Sequence, residues 1–409
     1  MSDKPIFKIG FLVNPIAGMG GAVALHSTDA ENLRTALDLG ATPLAHLRAA
    51  RALNGFKDSR LQEGEFRRIH FVAAPGSMGG DLLNELGIEF TVVPGSKSEN
   101  TDSQDTVDLI KTFVANDVDA ILFAGGDGTA RDIFSVVGAG IPLLGIPAGV
   151  KMRSSIFTHF PEGISQVLKD IESLPEVEHI YREILDATWS NPNSEDYSNS
   201  TYFGVADSIK SRVAFSGSKA RSSQDIDSGI QELAEIMAKE IKAKTGLVLI
   251  GSGTSTYAIK KALGSQSSLQ GVDAFISGSC IGMDLTELEI LRLLSIHEDS
   301  ELITGVIGGQ GFLFGRGNQQ ISVSVINSIS WSRITIIAAE SKLLGLFPVE
   351  LYVDFAEVTN NSQMPRFAKV RTAPGKEMLV RLRSSSQEVM ESMDFVGHGQ
   401  QLVRSSNDR

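Results

Sequence analysis

The sequence has few of the features that mark secreted or membrane-bound proteins. Cys280 is the single cysteine among 409 residues, which excludes a framework of disulfides within the chain. No apolar run approaches the roughly 18 residues that a transmembrane helix needs, and the early stretch IFKIGFLVNP is too short for the core of a signal peptide. We therefore expect a cytoplasmic protein in which Cys280 is a buried structural residue.

Basic residues are scarce relative to acidic ones. Lysine and arginine number 37 and aspartate and glutamate 49, so the net charge is −12 and the pI is about 5.2. Proteins that bind nucleic acids or membrane surfaces usually carry a basic face, so we expect neither partner. The content of 42% hydrophobic and 21% charged residues is that of an ordinary globular protein, and the length allows two domains.

Short apolar runs alternate with helical patterns through residues 1–154. The runs are residues 6–13, 69–73, 90–93, 120–124 and 143–146. Between them, residues 103–115 place Val107, Ile110 and Val114 on one helical face at spacings of three and four. Strict alternation of buried strands with helices indicates a parallel sheet. Residues 1–154 are therefore predicted to form a doubly wound α/β domain.

The alternation of predicted strands and helices is less regular beyond residue 155. An amphipathic helix that ends at Gly246 is marked by the apolar residues Ile230, Leu233, Met237 and Ile241. Further strands are predicted at residues 247–250, 274–277, 302–307 and 334–338. We interpret residues 155–330 as a second, mixed α/β domain rich in strands, residues 331–383 as a segment that returns to the core, and residues 384–409 as a partly disordered tail.

Five glycine-rich turns follow predicted strands: NPIAGMGG, APGSMGGD, VPGSKSEN, GGDGT and IPAGVK. Ligands of such sheets collect at the carboxyl ends of the strands. In GGDGT, Gly125, Gly126 and Gly128 let main-chain N–H groups approach a phosphate, and a helix predicted over 130–137 directs its positive end there. Asp127 is then either a magnesium contact or a base for a hydroxyl that attacks phosphorus. A tight turn with a capping aspartate is the alternative.

Two segments of the second half also suit a ligand. GSGTSTY, residues 251–257, precedes a helix predicted over 257–263, so its N–H groups and hydroxyls suit a further phosphate; an ordinary helix cap is the alternative. GGQGFLFGRGNQQ, residues 308–320, offers Arg316 as a clamp for phosphate charge and Asn318 among amides that can read a base or nicotinamide edge. A glycine-kinked pair of strands would have the same composition.

GGDGT resembles the signature shared by NAD kinases, diacylglycerol and sphingosine kinases and phosphofructokinases. Together with NPIAGMGG, LGIPAGVKM, GSGTSTYAIKKALG and GGQGFLFGRGNQQIS, in collinear order over residues 5 to 382, it is similar to one branch of the ATP-NAD kinase family. That branch includes proteins encoded beside acetoin-catabolism genes. The resemblance implies an α/β domain with a second domain closing over the nucleotide. It also implies a homo-oligomer that transfers a phosphoryl group from ATP, with Mg²⁺, to the 2′-hydroxyl of NAD.

The resemblance implies roles for individual residues. Asp127 matches the family's catalytic aspartate, which accepts the proton of the ribose hydroxyl. By the resemblance, the phosphate- and nucleotide-binding positions are Asn14, Gly18, Gly125, Gly126, Gly128 and Thr129; Lys151 is a candidate cation there by its charge. The candidate NAD-binding positions are Gly251, Gly253, Thr254, Ser255 and Thr256 by the resemblance, and Arg316 and Asn318 by the chemistry of their side chains. The metal ligands are not identified by the sequence.

Two departures from this branch leave the acceptor open. At residues 26–30 the branch would have Lys-Gly-Thr-Asp-Gly, whereas this chain has HSTDA. Arg153 stands where the branch commonly has histidine. A non-catalytic NAD- or nucleotide-binding accessory protein is therefore one alternative. A diacylglycerol-type lipid kinase is another, although the acidic balance and the lack of an amphipathic anchor argue against it. Polyphosphate is an alternative donor to ATP.

Overall fold

The computed structural model of the chain describes residues 5–25, 35–42, 44–57, 68–96, 101–150, 152–187, 200–211, 213, 215, 228–267, 269, 271–307, 310–346, 348–355 and 364–384. Lys151, the HSTDA departure and the predicted tail beyond Ser384 lie outside these residues. Within them, none of the helices has the length and apolarity needed to cross a lipid bilayer.

The first half of the chain is built around a five-stranded parallel sheet in its described part. The strand order is β3-β2-β1-β4-β5, and all neighbouring strands are parallel. The strands are β1 (Ile6–Val13), β2 (Arg68–Ala73), β3 (Phe90–Val92), β4 (Ala120–Gly125) and β5 (Leu143–Pro147). The helices are α1 (Ala45–Lys57), α2 (Gly80–Glu85), α3 (Ser103–Ala115), α4 (Asp127–Val137) and α5 (Gly163–Ser173). The predicted doubly wound α/β domain is confirmed.

The strands read as continuous apolar runs because helices cover both faces of this sheet. On β4, Leu122 and Ala124 pack with α1 and α5 on one face, whereas Ile121 and Phe123 pack with α3 and α4 on the other. All six residues of β4 are buried as a result. The carboxyl end of β4, where GGDGT begins, is therefore anchored between two cores.

Helix α3 has the predicted bounds but buries a different face. Its buried residues are Thr106, Leu109, Ile110 and Phe113. The predicted stripe of Val107, Ile110 and Val114 was wrong, since Val114 is 43% exposed. The helix is turned so that the Phe113 ring fills the space above Gly10 of β1. A Cβ atom at Gly10 would lie 2.6 Å from that ring.

Strands β6 (His179–Ala187) and β7 (Ser200–Ile209) form a separate antiparallel pair. Ile184 and Ala206 of this pair belong to the core that α3 and α4 form on the first sheet. Ser208 of β7 also donates a hydrogen bond from its hydroxyl to the carbonyl of Leu143 on β5, at 2.8 Å. The pair thus packs on the first half of the molecule, and the predicted domain boundary at residue 155 stays a prediction.

The second half is built around a nine-stranded mixed sheet in its described part. The strand order is β10-β9-β8-β11-β13-β15-β16-β14-β12. The strands are β8 (Leu247–Ile250), β9 (Asp273–Ile276), β10 (Ser279–Gly282), β11 (Ser300–Gly305), β12 (Phe312–Phe314), β13 (Ile334–Ile337), β14 (Glu350–Val353), β15 (Phe367–Ala373) and β16 (Lys376–Ser384). The helices are α6 (Ser228–Ala243), α7 (Thr254–Ala262), α8 (Glu287–Ile296), α9 (Val323–Ile329) and α10 (Glu340–Leu344). The predicted second domain, mixed and rich in strands, is confirmed.

Two details of the second half test single-residue predictions. Helix α6 buries the apolar residues that marked it in the sequence, Ile230, Leu233, Met237 and Ile241. Cys280 is exposed, so the prediction of a buried cysteine was wrong. The physical reason is its position on β10, which forms an edge of the sheet and has exposed side chains from Ser279 to Ile281.

Asp354 connects the two sheets through three arginines. It directly follows β14, and Arg48 of α1 donates to its Oδ2 at 2.6 Å and to its main-chain carbonyl at 3.3 Å. Arg51 of α1 lies 3.6 Å from the Asp354 Oδ1. Arg316, which follows β12, lies 3.5 Å from the Oδ2. We call Asp354, Arg48, Arg51 and Arg316 the Asp354 cluster.

The Asp354 cluster is almost completely removed from water. Asp354 and Arg316 are each 1% exposed and Arg48 is 4% exposed. Burial raises the pKa of Asp354, but the charges of Arg48, Arg316 and Arg51 outweigh it and hold that pKa below its ordinary value. An unpaired buried charge is strongly destabilising. The cluster therefore ties α1 of the first half to the ends of β12 and β14 in the second.

Replacing the central carboxylate tests this connection. Asp354→Asn should lower the free energy of unfolding by about 3–5 kcal/mol, because Arg48 and Arg316 stay buried while their anion is lost, whereas Arg51 keeps its pair with Glu162. The matched control is Asp299→Asn, which removes a largely exposed carboxylate 2.7 Å from Arg333. Exposed pairs contribute only about 0–1 kcal/mol. Denaturant unfolding of both variants measures the difference. Equal losses would contradict the role of the cluster.

Candidate active site

Asp127 lies at the junction of β4 and α4. Strand β4 ends at Gly125 and α4 begins at Asp127, three residues earlier than predicted. Asp127 is 6% exposed. Its Oδ2 accepts the N–H of Arg153 at 2.6 Å, and its Oδ1 accepts the N–H of Ser154 at 3.0 Å. The segment after β5 therefore holds the carboxylate in a fixed orientation.

The protonation of Asp127 reflects this surrounding. Burial raises the pKa of Asp127 to about 7. Hydrogen bonding by Ser154 and by the N–H of Arg153 opposes the rise, because it favours the charged form, whereas the carboxylate of Asp186 adds to it. A carboxyl group with a pKa near neutrality exists in both protonation states at physiological pH. It can therefore accept a proton and release it, as a general base must.

The glycines of GGDGT have different surroundings. A Cβ atom at Gly125 would lie 2.6 Å from the side chain of Thr129, and one at Gly126 would lie 3.2 Å from the Cα of Gly149. These two glycines are required by packing inside the protein. At Gly128, the nearest atom to such a Cβ is Nη2 of Arg131 at 3.9 Å. Gly128 thus marks the open side of the turn, where a ligand can approach the main chain.

The turn after β1 supports GGDGT directly. Asn14 donates from its Nδ2 to the hydroxyl of Thr129 at 2.9 Å, and its Oδ1 accepts the N–H of Ile16 at 3.2 Å. Gly18 has a φ of 80°, and a Cβ atom there would lie 2.2 Å from the carbonyl oxygen of Ala148. The structure thus brings Asn14 and Gly18 next to the predicted phosphate loop, where they join three turns to one another.

A loop of the second half covers the segment that holds Asp127. The carbonyl of Val150 accepts the N–H of Gly317 and the Nε2 of Gln319, both at 2.9 Å. Gln310 donates to the carbonyl of Met152 at 2.5 Å. Residues 310–320 therefore lie against Val150 and Met152, and Met152 immediately precedes Arg153 and Ser154. Lys151, the candidate cation, falls in this segment but outside the described residues.

The predicted NAD-binding segment at residues 251–256 is connected to the same loop. Ser252 donates from its hydroxyl to the carbonyl of Gly317 at 3.1 Å. Gly253, with a φ of 118°, precedes α7, and Thr256 returns a hydrogen bond from its hydroxyl to the Gly253 carbonyl at 2.9 Å. Ser255 and Thr256 are buried, whereas Thr254 is exposed. Thr254 is thus the hydroxyl of this segment that faces solvent at the beginning of α7.

Arg316 has a different environment from the one predicted. Its guanidinium donates to the carbonyls of Thr158 and His159 and stacks 3.9 Å from the centre of the Phe312 ring. With its place in the Asp354 cluster, these contacts make Arg316 part of the packed interior, and they correct the expectation of a phosphate clamp. Phosphate could reach it only if that buried network opened.

Asn318 combines a structural contact with an unused acceptor. It is 3% exposed, and its Nδ2 donates to the carbonyl of Leu313 at 2.8 Å. Its Oδ1 has no hydrogen-bond partner within the described residues. Buried acceptors are usually satisfied, so this oxygen suits a donor group that comes from a ligand.

Arg131 and Asp186 belong to the site but were not predicted. Arg131 lies one helical turn after Asp127, and its Nη1 donates to Oδ2 of Asp186 on β6 at 2.6 Å. Its Nη2 lies 3.0 Å from Asp132, and its side chain is 39% exposed. A basic residue four positions after Asp127 on a helix is a usable signal for Arg131. Asp186 has no comparable local signal, because a strand pair distant in sequence brings it here.

The sequence analysis predicted a magnesium ion but did not identify the residues that would bind it. Among the described residues, no group of three or more His, Cys, Asp or Glu side chains could hold a metal ion. Both oxygens of Asp127 accept main-chain hydrogen bonds. The described side chains therefore do not fit a metal site that the protein builds by itself.

The raised pKa of Asp127 has a consequence for stability. Because this pKa is raised from 3.8 to about 7, the folded protein binds the proton more tightly than the unfolded chain does. The resulting stabilisation should be complete at low pH and lost as pH rises through about 7. Asp127→Asn stays neutral, so the variant should lack this part of the pH dependence. Urea unfolding of both proteins between about pH 4 and about pH 8 measures it, and identical slopes would contradict the raised pKa.

Comparison with known proteins identifies the first half of the chain. Residues 9–177 match the ATP-NAD kinase N-terminal domain. No curated protein and no solved structure matches the chain significantly. The matched residues include Asn14, GGDGT, Arg153 and Ser154, and they end before the segments at 251–256 and 310–320. Residues 9–177 are therefore identified as an ATP-NAD kinase N-terminal domain.

Proposed function

We propose that the protein is a kinase that transfers a phosphoryl group from ATP to the 2′-hydroxyl of NAD and so forms NADP. Asp127 carries the proposal: it is a buried carboxylate held by two main-chain N–H groups at the beginning of α4, inside an ATP-NAD kinase N-terminal domain. Phosphoryl transfer needs alignment, charge neutralisation and a base more than covalent help from the protein. Asp127 is the base in this proposal.

Asp127 would orient the ribose hydroxyl and take its proton. A carboxylate offers about four lone-pair sites, and two of them are used by the N–H groups of Arg153 and Ser154. A hydroxyl can donate to another while its oxygen attacks the terminal phosphorus of ATP, and the bond between that phosphorus and the departing ADP breaks. The proton then passes to Asp127, whose pKa near 7 suits both its capture and its later release to solvent.

The donor phosphates would bind at the beginning of α4. Helix N-termini present unpaired N–H groups and the positive end of the helix dipole, and Gly128 leaves this side open. Arg131 lies beside Gly128 and is suited to offset phosphate charge. Mg²⁺ would arrive with the nucleotide and neutralise part of that charge. Lys151 remains a predicted further cation.

The dinucleotide would extend towards the second half of the molecule. The hydrogen bond between Ser252 and Gly317 brings residues 251–256 and Asn318 into one neighbourhood. Thr254, an exposed residue, has a hydroxyl that can donate there, and the buried Oδ1 of Asn318, which has no partner among the described residues, can accept. We propose these two side chains as contacts for NAD, in place of Arg316.

Removing the base tests the proposed chemistry. Asp127→Asn keeps the size of the side chain but cannot accept a proton as a carboxylate does, so NADP formation should slow by about two to four orders of magnitude. Asp81→Asn, at an exposed position in the first turn of α2, is the matched control and should keep the wild-type rate. The measurement is NADP formation from NAD and ATP, with melting curves for all three proteins. A wild-type rate in Asp127→Asn would remove the base from the proposal.

Ligand stabilisation tests the substrate class. NAD and ATP, with Mg²⁺, should each raise the melting temperature, because a ligand that binds the folded state stabilises it by mass action. Diacylglycerol and fructose 6-phosphate should leave it unchanged. Stabilisation by the lipid alone would favour the lipid-kinase alternative. No response of a folded preparation to either nucleotide would overturn the proposed function.

A further inference from the structure

Ser154 makes hydrogen bonds in two directions. Its main-chain N–H donates to Oδ1 of Asp127 at 3.0 Å. Its hydroxyl donates to the carbonyl of Leu185 on β6 at 2.8 Å and accepts the N–H of the same residue at 3.0 Å. Ser154 is fully buried, with 0% exposure. One residue therefore connects the carboxylate of the site to the strand pair β6–β7.

The neighbouring residue extends this connection along β6. Ser155 donates its main-chain N–H to the carbonyl of Glu183 at 3.0 Å, and its hydroxyl accepts the N–H of Glu183 at 2.8 Å. Residues 154 and 155 thus lie along the edge of β6, as a short added strand would. The pairing of β6 with β7 is irregular between Ile184 and Leu185. At this irregularity, the hydroxyl of Ser154 forms hydrogen bonds with both the N–H and the carbonyl of Leu185.

The charged groups around Asp127 come from several elements. Arg153 precedes Ser154 in the same segment, Asp186 follows Leu185 on β6, and Arg316 acts on Asp127 from the second half. On α4 itself, Arg131 is paired with Asp186 and with Asp132. Strand β6 therefore places Asp186 near the carboxylate and, through Ser154, also fixes the N–H groups that favour its charged form.

We propose that Ser154 is a positioning residue for the reaction: its hydroxyl anchors residues 153 and 154 to β6, and this anchor holds their N–H groups against the Asp127 carboxylate. The inference rests on the proposed function, because it assigns Ser154 a role in keeping the base ionised. Two N–H donors that are held rigidly stabilise a carboxylate better than the same donors on a loose segment. The side chain of Ser154 also favours the charged form of Asp127 directly. Without the hydroxyl, Asp127 should therefore keep its proton to a higher pH.

The test compares two buried serines. In the wild type, kcat for NADP formation should fall below about pH 7 as Asp127 becomes protonated. Ser154→Ala should move this acidic limb up by about one pH unit, so that kcat falls about tenfold at pH 6 and less than about twofold at pH 9. The KM values for NAD and ATP should stay within about twofold, since Ser154 is placed against the base and touches no substrate. Ser154→Thr, which retains the hydroxyl, should restore the wild-type limb.

Ser208→Ala is the matched control. Ser208 is also fully buried and also donates its hydroxyl to a main-chain carbonyl at 2.8 Å, that of Leu143. Its removal should destabilise the protein about as much as Ser154→Ala, without moving the pH profile. An unchanged limb in Ser154→Ala, or an equal movement in both alanine variants, would overturn the inference.

A direct titration separates this inference from the proposed function. The side-chain carboxyl carbon of Asp127, assigned by comparison with Asp127→Asn, can be followed by ¹³C NMR in aspartate-labelled protein. Ser154→Ala should raise the titration midpoint by about one pH unit, and Ser208→Ala should not change it. If the wild type forms no NADP, the proposed function fails while this midpoint still decides the role of Ser154. An unmoved midpoint with an active wild type overturns the inference alone.

Discussion

One buried carboxylate, Asp354, is shared by Arg48, Arg51 and Arg316 where the two sheets meet, and Arg51 also pairs with Glu162 at 2.8 Å. Arg48 also donates to the carbonyl of Pro147 at the end of β5, at 3.1 Å. Arg316 donates to carbonyls at residues 158 and 159. Along the chain, these carbonyls lie on either side of Arg153 and Ser154, the two residues that hold Asp127. Withdrawing the Asp354 charge would leave Arg48 and Arg316 buried without their carboxylate. Because these two arginines hold carbonyls on both sides of Arg153 and Ser154, the geometry of the site depends on this cluster.

Two buried carboxylates therefore have opposite properties in one molecule. Burial raises the pKa of both, but three guanidinium groups lower that of Asp354 below its ordinary value. Asp127 has two main-chain N–H groups and the carboxylate of Asp186 nearby, and its pKa stays raised. Because three guanidinium groups surround it, Asp354 stays ionised and has a structural role. Partial compensation leaves Asp127 able to change its protonation, which is the property that proton transfer requires.

The sequence predicted the parts of the structure that depend on local pattern. The strands of the first sheet, helix α6 and the position of GGDGT at a strand end follow from apolar periodicity and glycine placement. Arg316 could not be assigned from its glycine-rich string, because its partner Asp354 lies on another strand and follows a different pattern. Ser154 reaches Asp127 from the segment after β5 and Asp186 acts on it from β6, and neither approach has a signal in the local sequence pattern. The exposure of Cys280 depends on β10 being an edge strand, which the order of strands decides.

Several glycines in the turns that follow the strands of the first sheet are required by packing inside the protein, whether or not a ligand binds. The turns after β1, β4 and β5 approach so closely that Cβ atoms at Gly18, Gly126 or Gly149 would meet the main chain of a neighbouring turn at 2.2, 3.2 and 2.7 Å. This close packing removes water from around Asp127 and so produces its raised pKa. Gly128 lies on the open side of the turn, and because it has no side chain, the N–H groups at the beginning of α4 stay accessible. Within GGDGT, Gly125 and Gly126 therefore help to bury Asp127, whereas Gly128 keeps open the side on which we propose that the donor phosphates bind.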